Sequence, residues 1–213
     1  MKEKSSVASI PESTVPVSQD GLGDNKKERV VREAMRLFCE KGYEATSVRE
    51  IVEAVGVTKP VLYYYFKNKE ELFRHIIESS MGPFEEAQND ICSRAGVDFW
   101  EKLTELVDLH IYWAVIDSDR VRFIHAIFFS GLYKTIFDFE AQWRVYFEVV
   151  VHLFRQAQEK GVIRNDISAE SLAALFTGMA HEAMRSRVYC PGLVESPPTS
   201  QEVVDIIRKG IEK

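Results

Sequence analysis

The stretch "VTKPVLYYYFKNKEEL", Val57 to Leu72, places three consecutive tyrosines between a threonine–lysine–proline step and a lysine-rich step. Consecutive residues of an α-helix point in directions about 100° apart. Tyr63, Tyr64 and Tyr65 therefore cannot all face one core. At least one bulky phenol must lie on the outside of the protein, and the surrounding sequence has to explain why.

Helix-start and helix-stop residues surround the tyrosines. Ser47 and Glu50 form a capping-box pair that begins one short helix, and Gly56 ends it with a positive-φ turn. The next helix begins at Thr58 as N-cap, with Pro60 in the first turn, where a missing N–H costs nothing. The pattern predicts two short helices joined by a tight glycine turn.

Two further helices flank this pair. Apolar residues at three-to-four spacing predict one from near Asn25 to a stop at Gly42. Another opens at Asn68 and is expected to end at Gly82 and Pro83. Three short helices with a tight turn between the second and third describe a helix-turn-helix unit.

The rest of the chain also has helical rather than strand periodicity. We predict further helices over 98–117, 119–130 and 135–160, then from Ser168 to before Pro191, and finally from Thr199. The predicted fold class is all-α, with an N-terminal three-helix module and a C-terminal helical bundle for dimerisation and ligand binding. The predicted domains are a flexible tail over 1–24, a helix-turn-helix domain over 25–70 and a helical domain over 71–213.

Composition limits the class of protein. The chain has 213 residues, 46% hydrophobic and 28% charged, as in folded globular proteins. We expect a cytoplasmic protein, because no apolar run is long enough to span a bilayer and the first residues lack a signal-peptide block. Three widely spaced cysteines, Cys39, Cys92 and Cys190, lack metal-ligand spacing and are interpreted as inert thiols. We expect no metal and no cofactor.

The charge distribution permits a nucleic-acid partner without requiring one. The net charge is −6, but residues 25–80 hold 11 Lys and Arg against 9 Asp and Glu. The N-terminal part is thus mildly basic and the remainder acidic, and the distribution matters more than the sum.

The outer side of the third predicted helix has the chemistry of a DNA-reading surface. If Leu62 and Phe66 face inward, the opposite face is exposed at the helix N-terminus, where a recognition helix enters the major groove. Lysine can donate to guanine O6 and N7, proline and an aromatic ring can contact a thymine methyl, and a phenol hydroxyl suits a phosphate oxygen. The residues assigned to these roles are Thr58, Lys59, Pro60, Tyr63 and Tyr64.

Three more residues are candidates for phosphate contacts. Lys69 adds charge in the first turn of the fourth helix, and Thr46 or Ser47 can serve at the start of the second. The alternative is that the tyrosines are core residues whose hydroxyls reach the surface. We favour that alternative for Tyr65 only.

At this point the sequence resembles a known family. "RLFCEKGYEATSVREIVEAVGVTKPVLYYYFKNKEEL", Arg36 to Leu72, is similar to the DNA-binding domain of the tetracycline-repressor (TetR-type) transcriptional regulators. The resemblance implies DNA contacts from the positions held here by Thr46, Thr58, Lys59, Pro60, Tyr63, Tyr64 and Lys69. It departs from the family's pattern at Val52 and Val55, where alanine is usual, and at Pro60, where glycine is common.

The resemblance also implies a homodimer on a pseudo-palindromic double-stranded DNA operator. The family dimerises through its last two long helices, whose place is taken here by 171–188 and 199–211. Small residues in 171–188 (Ala173, Ala174, Gly178, Ala180 and Ala183) permit close packing inside the subunit or across a two-fold axis.

Residues 81–213 hold 17 of the 24 aromatic residues, including all three tryptophans. They are interpreted either as a large aromatic core or as an apolar cavity with a polar anchor for a small apolar or amphipathic effector. The ligand-binding candidates are His110, Trp113, His125, Phe128, Phe129, Trp143 and Phe147.

Three functions compete. The first is a ligand-responsive dimeric transcriptional regulator, most often a repressor. The second is an effector-independent DNA-binding architectural or partner-docking protein. The third, an all-α enzyme, ranks last, since the H-E-x-x-H zinc motif begun by His181 and Glu182 fails at Arg185 and no other catalytic set can be recognised.

Overall fold

A computed structural model describes residues 26–130, 136–192 and 195–212. These residues form nine α-helices, which confirms the all-α prediction. One isolated backbone bridge joins Ile163 and Glu212. The helices are α1 (Lys26–Lys41), α2 (Val48–Val55), α3 (Lys59–Tyr65), α4 (Lys69–Ser93), α5 (Phe99–Ile116), α6 (Ser118–Ser130), α7 (Phe139–Glu159), α8 (Ala169–Tyr189) and α9 (Ser200–Ile211).

Local cap signals placed most helix starts correctly. Ser47 and Thr199 each form a complete capping box with the glutamate three residues later, and the Ser168 hydroxyl accepts from the Ser171 N–H. Asn68 accepts from the Glu71 N–H at 2.7 Å. The predicted flexible tail over 1–24, the cap at Asn25 and the predicted start at Thr135 lie outside the described residues.

The predicted end of the fourth helix is wrong. Instead of stopping at Gly82 and Pro83, α4 continues to Ser93 with Pro83 inside it. A proline removes one helical hydrogen bond, the one to the carbonyl four residues earlier. That carbonyl belongs to Ser79, and it accepts from the Arg120 guanidinium at 2.8 Å instead.

The described chain divides into two compact units. We call one, residues 26–82, 117–130 and 136–142, the front unit, and the other, residues 83–116, 143–192 and 195–212, the rear unit. The predicted division after residue 70 differs from this one. The first half of α4 and all of α6 pack with α1, α2 and α3 in one core, because Phe73 and Phe123 are both almost fully buried there.

The front core fixes the pose of α2 and α3. It is built from one face of each short helix, with Ile51 from α2 and Leu62 from α3 fully buried. Tyr43 closes it, with its ring 4.6 Å from that of Phe73. The side chains of α2 and α3 that point away from this core are consequently held in a defined orientation.

The rear unit is a helical bundle in which α5 packs against α8 and α9. Its core is largely aromatic and aliphatic, with the Phe154 ring 5.3 Å from Phe99 and 5.8 Å from Phe176. Burial raises the pKa of the Cys92 thiol to about 12. Among the described residues no helix is long and apolar enough to cross a membrane, and no group of three His, Cys, Asp or Glu side chains could hold a metal ion.

Candidate nucleic-acid interface

The turn between α2 and α3 sets the angle of α3. Gly56 adopts φ 73°, and its N–H donates to the Glu53 carbonyl while the Val57 N–H donates to the Val52 carbonyl at 2.9 Å. This left-handed cap is strained for residues with a side chain. The glycine therefore allows α3 to follow α2 after only a short connection.

The start of α2 is held by a charged cap. The Ser47 hydroxyl accepts from the Glu50 N–H, and the Glu50 carboxylate accepts from the Ser47 N–H at 2.8 Å. The Lys41 ammonium, 2.8 Å from the same carboxylate, acts with the Ser47 groups to lower the pKa of Glu50 to about 2. Ser47 is exposed, and its hydroxyl hydrogen remains available to an outside acceptor such as a phosphate.

The tyrosines of α3 separate as the helical geometry requires. Leu62 and Phe66 are 0% and 2% exposed, whereas Tyr63 is 48% and Tyr64 is 82% exposed. The alternative that Tyr63 and Tyr64 are core residues is therefore wrong. Tyr65 is half-buried and packs on the front core, as expected.

The N-terminal end of α3 presents three exposed residues beside the two tyrosines. Thr58 has the extended N-cap conformation, but its side chain accepts no hydrogen bond from the helix. Lys59 is exposed and forms no ion pair within the described part of the chain, and Pro60 occupies the first turn. This face thus exposes a cation, two phenols, a hydroxyl and an apolar ring to the outside.

Thr46 does not belong to this exposed set. It is 1% exposed, and its hydroxyl lies 2.8 Å from the Gly42 carbonyl and 3.3 Å from the Leu37 carbonyl. A hydroxyl has one hydrogen to donate, and here it serves the end of α1. The structure corrects the interpretation of Thr46 from a phosphate ligand to a residue that holds the α1–α2 connection.

The side chain of Lys69 also forms hydrogen bonds within the protein. Its ammonium donates to the carbonyls of Tyr43 at 2.8 Å and Thr46 at 3.0 Å, and it stands 4.1 Å from the centre of the Tyr43 ring. A phosphate contact from Lys69, as predicted from the sequence, would have to compete with these internal hydrogen bonds. Its position still adds positive charge near the start of α2.

Sequence reasoning missed one positioning residue. Arg29 of α1 donates to the carbonyl of Val55 at 2.7 Å, at the end of α2 and 26 positions along the chain. No spacing rule links residues so far apart. Val52 and Val55, the departures from the family pattern, are both buried and pack in the front core.

The effector candidates divide between the two units. In the rear unit His110 is buried, its ring 5.1 Å from that of His181, which lies 5.4 Å from Trp143; Trp113 and Phe147 pack on the rear core. In the front unit His125 is half-buried, which lowers its pKa, and Phe128 packs on the front core. The side chain of Phe129 lies outside the described residues.

Comparison with known proteins agrees with this geometry. Residues 30–76 match the family described as "Bacterial regulatory proteins, tetR family". The transcriptional regulator AcrR of Shigella flexneri is 27% identical over 173 residues, 80% of this chain and 77% of that protein. Three further relatives are 34–43% identical over only 58 residues, which are 28–31% of their length.

Two solved structures share the fold. The MbdR regulator from Azoarcus sp. CIB superposes with a TM-score of 0.69 at 22% identity, covering 86% of this chain and 95% of its own. AibR, solved in complex with isovaleryl coenzyme A and operator DNA, superposes with a TM-score of 0.62 at 23% identity, covering 86% and 97%.

A helix-turn-helix module with an exposed third-helix face, followed by a helical bundle, defines the class of helix-turn-helix DNA-binding transcriptional regulators. Within that class, residues 30–76 match the DNA-binding domain of the tetR family, and a solved regulator shares the fold over 86% of this chain.

Proposed function

We propose that this regulator is a homodimeric repressor that reads a pseudo-palindromic operator with the exposed face of α3 and is released by a small effector. The observation that carries the proposal is the division of α3: Leu62 and Phe66 are buried, while Tyr63 and Tyr64 are exposed beside Lys59. Two exposed phenols beside a lysine offer ring surface and hydroxyl groups that are well suited to contact with DNA.

Each exposed residue has a role in the proposed complex. Lys59 donates to guanine in the major groove, and Pro60 and the ring of Tyr63 contact a thymine methyl. The hydroxyls of Tyr64 and Thr58, with Ser47 at the start of α2, donate to phosphate oxygens and fix the position on the duplex. Base contacts supply sequence preference, and phosphate contacts supply affinity.

The second copy in the proposed dimer binds through α8 and α9. On α8, Ala174, Leu175 and Gly178 are exposed, while Ala173, Ala180 and Ala183 are buried inside the rear unit. On α9, Ile206 is 63% exposed. Small residues next to exposed aliphatic ones allow two helices to approach closely.

The effector acts in the rear unit. AibR, which has the same fold, has been captured with both a small molecule and operator DNA. Here α4 belongs to both units, so a change in rear-unit packing reaches the front unit along one continuous helix. A ligand can shift this equilibrium only by its different affinity for the two conformations.

The test begins with selection of genomic fragments that bind the purified chain, followed by measurement of operator affinity for Lys59→Ala, Tyr63→Ala and the control Lys67→Ala. Lys67 is exposed and follows α3 without belonging to it. We expect Lys59→Ala to cost about 1–3 kcal/mol at the preferred sequence and to relax the preference at one base pair. An unchanged preferred sequence for Lys59→Ala would show that this face does not read DNA.

A further inference from the structure

Polar and aromatic side chains from four helices meet inside the rear unit. The Gln88 side-chain N–H of α4 donates to the Tyr146 carbonyl of α7 at 2.8 Å. The rings of Tyr146 and His181 are stacked at 6.2 Å, and His181 also contacts His110 and Trp143. Thr177 precedes His181 by one turn on α8 and shares its face. We call these six residues the polar cluster: Gln88, His110, Trp143, Tyr146, Thr177 and His181.

Hydrogen bonds fix where the protons of the cluster lie. The Nδ1 of His110 is 2.7 Å from the Leu106 carbonyl, which can only accept, so Nδ1 carries the hydrogen. In the neutral ring Nε2 is then an acceptor, and it takes the hydroxyl hydrogen of Tyr146 at 3.0 Å. Burial raises the pKa of Tyr146 well above its ordinary value, so it remains a phenol whose single hydrogen is already in use.

Two buried polar groups of the cluster have no hydrogen-bond partner among the described residues. Gln88 is 2% exposed and Thr177 is 3% exposed. Neither the side-chain oxygen of Gln88 nor the hydroxyl of Thr177 finds a hydrogen-bond partner among the described residues. Helical threonines usually donate back to the preceding turn. Buried groups of this kind are rarely left unpaired, because their desolvation is unfavourable.

We propose that the polar cluster is the effector site and that it selects an uncharged, ring-containing molecule that donates a hydrogen bond, an alcohol or a phenol. This inference rests on the proposed effector control and specifies its chemistry. The Gln88 oxygen accepts the ligand's hydroxyl hydrogen, and the Thr177 hydroxyl donates to the ligand's oxygen. The rings of Trp143, Tyr146 and His181 supply flat contact surface for the ligand's ring.

The same inventory disfavours anionic ligands at this position. None of the six residues carries an ammonium, guanidinium or carboxylate group. The open Gln88 oxygen repels a carboxylate, and an unpaired anion is costly to bury. A ligand lacking a donor leaves the Gln88 oxygen unpaired and gains nothing there.

The experiment is calorimetric titration of the full chain at neutral pH with three probes that share one ring system: 2-naphthol, 2-methoxynaphthalene and 2-naphthoate. We expect 2-naphthol to bind about tenfold or more tightly than each of the others, as the value of one buried hydrogen bond implies. Equal affinity for 2-naphthol and 2-naphthoate, or no binding of 2-naphthol at millimolar concentration, would overturn the proposal.

Two variants and two matched controls locate the binding. Gln88→Met should weaken 2-naphthol binding about tenfold and leave 2-methoxynaphthalene binding unchanged. Thr177→Val should weaken the binding of both probes, because the oxygen of each can accept from the Thr177 hydroxyl. Thr177→Val should also leave the melting temperature equal or raise it, because it removes an unpaired buried hydroxyl. The controls, Gln156→Met and Thr104→Val, lie outside the cluster and should bind all three probes like the wild type. A fall in 2-naphthol affinity in the controls alone contradicts the assignment.

Operator binding separates this inference from the function on which it rests. If 2-naphthol binds through Gln88 but leaves operator affinity unchanged, effector control fails while the site's chemistry stands. If other molecules release the operator equally from wild type and Gln88→Met, effector control stands and the assignment of the cluster fails.

Discussion

Lys69 connects the start of α4 to the α1–α2 connection with a single side chain. From the first turn of α4 its ammonium reaches the carbonyls of Tyr43 and Thr46 in the α1–α2 connection, and it lies over the Tyr43 ring. Hydrogen bonds from charged donors are stronger than neutral ones. The residue thereby fixes the backbone immediately before Ser47, from which α2 begins.

This arrangement predicts a stability effect rather than a DNA-binding effect for Lys69→Met. The substitution keeps the side-chain length but removes both hydrogen bonds, so we expect a loss of about 1–3 kcal/mol in the free energy of unfolding, measured by urea denaturation. Lys67→Met, an exposed neighbour, should change it little. The salt dependence of DNA binding should stay as in the wild type; a slope lower by about one, with stability unchanged, would instead identify Lys69 as a phosphate ligand.

The residue scale also shows what local pattern can reveal. Helical geometry and the inward-facing residues Leu62 and Phe66 predicted that Tyr63 and Tyr64 would be exposed, and both are exposed in the structure. The internal hydrogen bonds of Thr46 and Lys69 could not be predicted in this way. Their partners are backbone carbonyls, which every residue carries, up to 26 positions away. Side-chain identity therefore gives no signal for such contacts.

At the scale of the element, α4 shows how a proline is tolerated inside a helix. Arg120 donates to the Ser79 carbonyl that Pro83 leaves without a helical partner, and its Nε is 2.9 Å from the Asp117 carboxylate, which holds the guanidinium in place. Beyond the proline the helix still has an apolar face, since Ala87 and Ile91 are buried. The chain therefore gains by remaining helical beyond Pro83.

A double-mutant cycle tests this compensation. Arg120→Met should lower the free energy of unfolding by about 1–3 kcal/mol, because it leaves the Ser79 carbonyl unpaired. In a Pro83→Ala background the loss should be smaller, because the new N–H of Ala can donate to the same carbonyl. We expect an interaction energy of at least about 0.5 kcal/mol by urea denaturation.

The control for this cycle is Arg185→Met, since Arg185 is exposed and pairs with Glu182 on its own helix. The change that Arg185→Met causes in the free energy of unfolding should simply add to the change caused by Pro83→Ala. Additive effects for Arg120→Met and Pro83→Ala as well would mean that the guanidinium does not replace the missing helical donor.

Helix starts were more predictable than the helix end at Pro83 for a physical reason. A capping box lies within four residues, so the pairs Ser47–Glu50 and Thr199–Glu202 can be recognised directly in the sequence. The start of α7 could also have been recognised in the sequence, because Asp138 caps it by accepting a hydrogen bond from the Ala141 N–H at 3.0 Å. Whether a proline ends a helix depends on a donor from another element, which the local sequence does not contain.

At the scale of the whole molecule, the front unit carries the recognisable motif and the rear unit does not. The DNA-reading module has a fixed geometric task, so its residue types and spacings recur among relatives, several of which match over 58 residues only. The rear unit has to form a core and hold a ligand, and many apolar sequences satisfy both. The sequence therefore predicted its helices and named His110 and Trp143 as ligand candidates, but it did not indicate Gln88, Tyr146 and Thr177, which lie on three different helices.

The proposed dimer is the property of the whole molecule on which operator reading is expected to depend. A short recognition helix contacts few base pairs, and two of them held about 34–36 Å apart read two half-sites one helical turn apart. Linking two weak contacts raises overall affinity by roughly 10²–10⁴. A monomeric variant should therefore bind the operator far more weakly although each recognition helix is intact.

Leu175→Glu tests this dependence. Leu175 is 65% exposed on α8, so a glutamate there costs the monomer little but places two buried charges across the proposed two-fold interface. We expect sedimentation to show a monomer, circular dichroism to show unchanged helix content, and operator affinity to fall roughly 100-fold or more. Val145→Glu, at a 60% exposed aliphatic residue of α7, is the matched control and should remain dimeric. A dimeric Leu175→Glu variant with full operator affinity would move the interface away from α8, whereas a monomeric variant with full affinity would show that one recognition helix suffices.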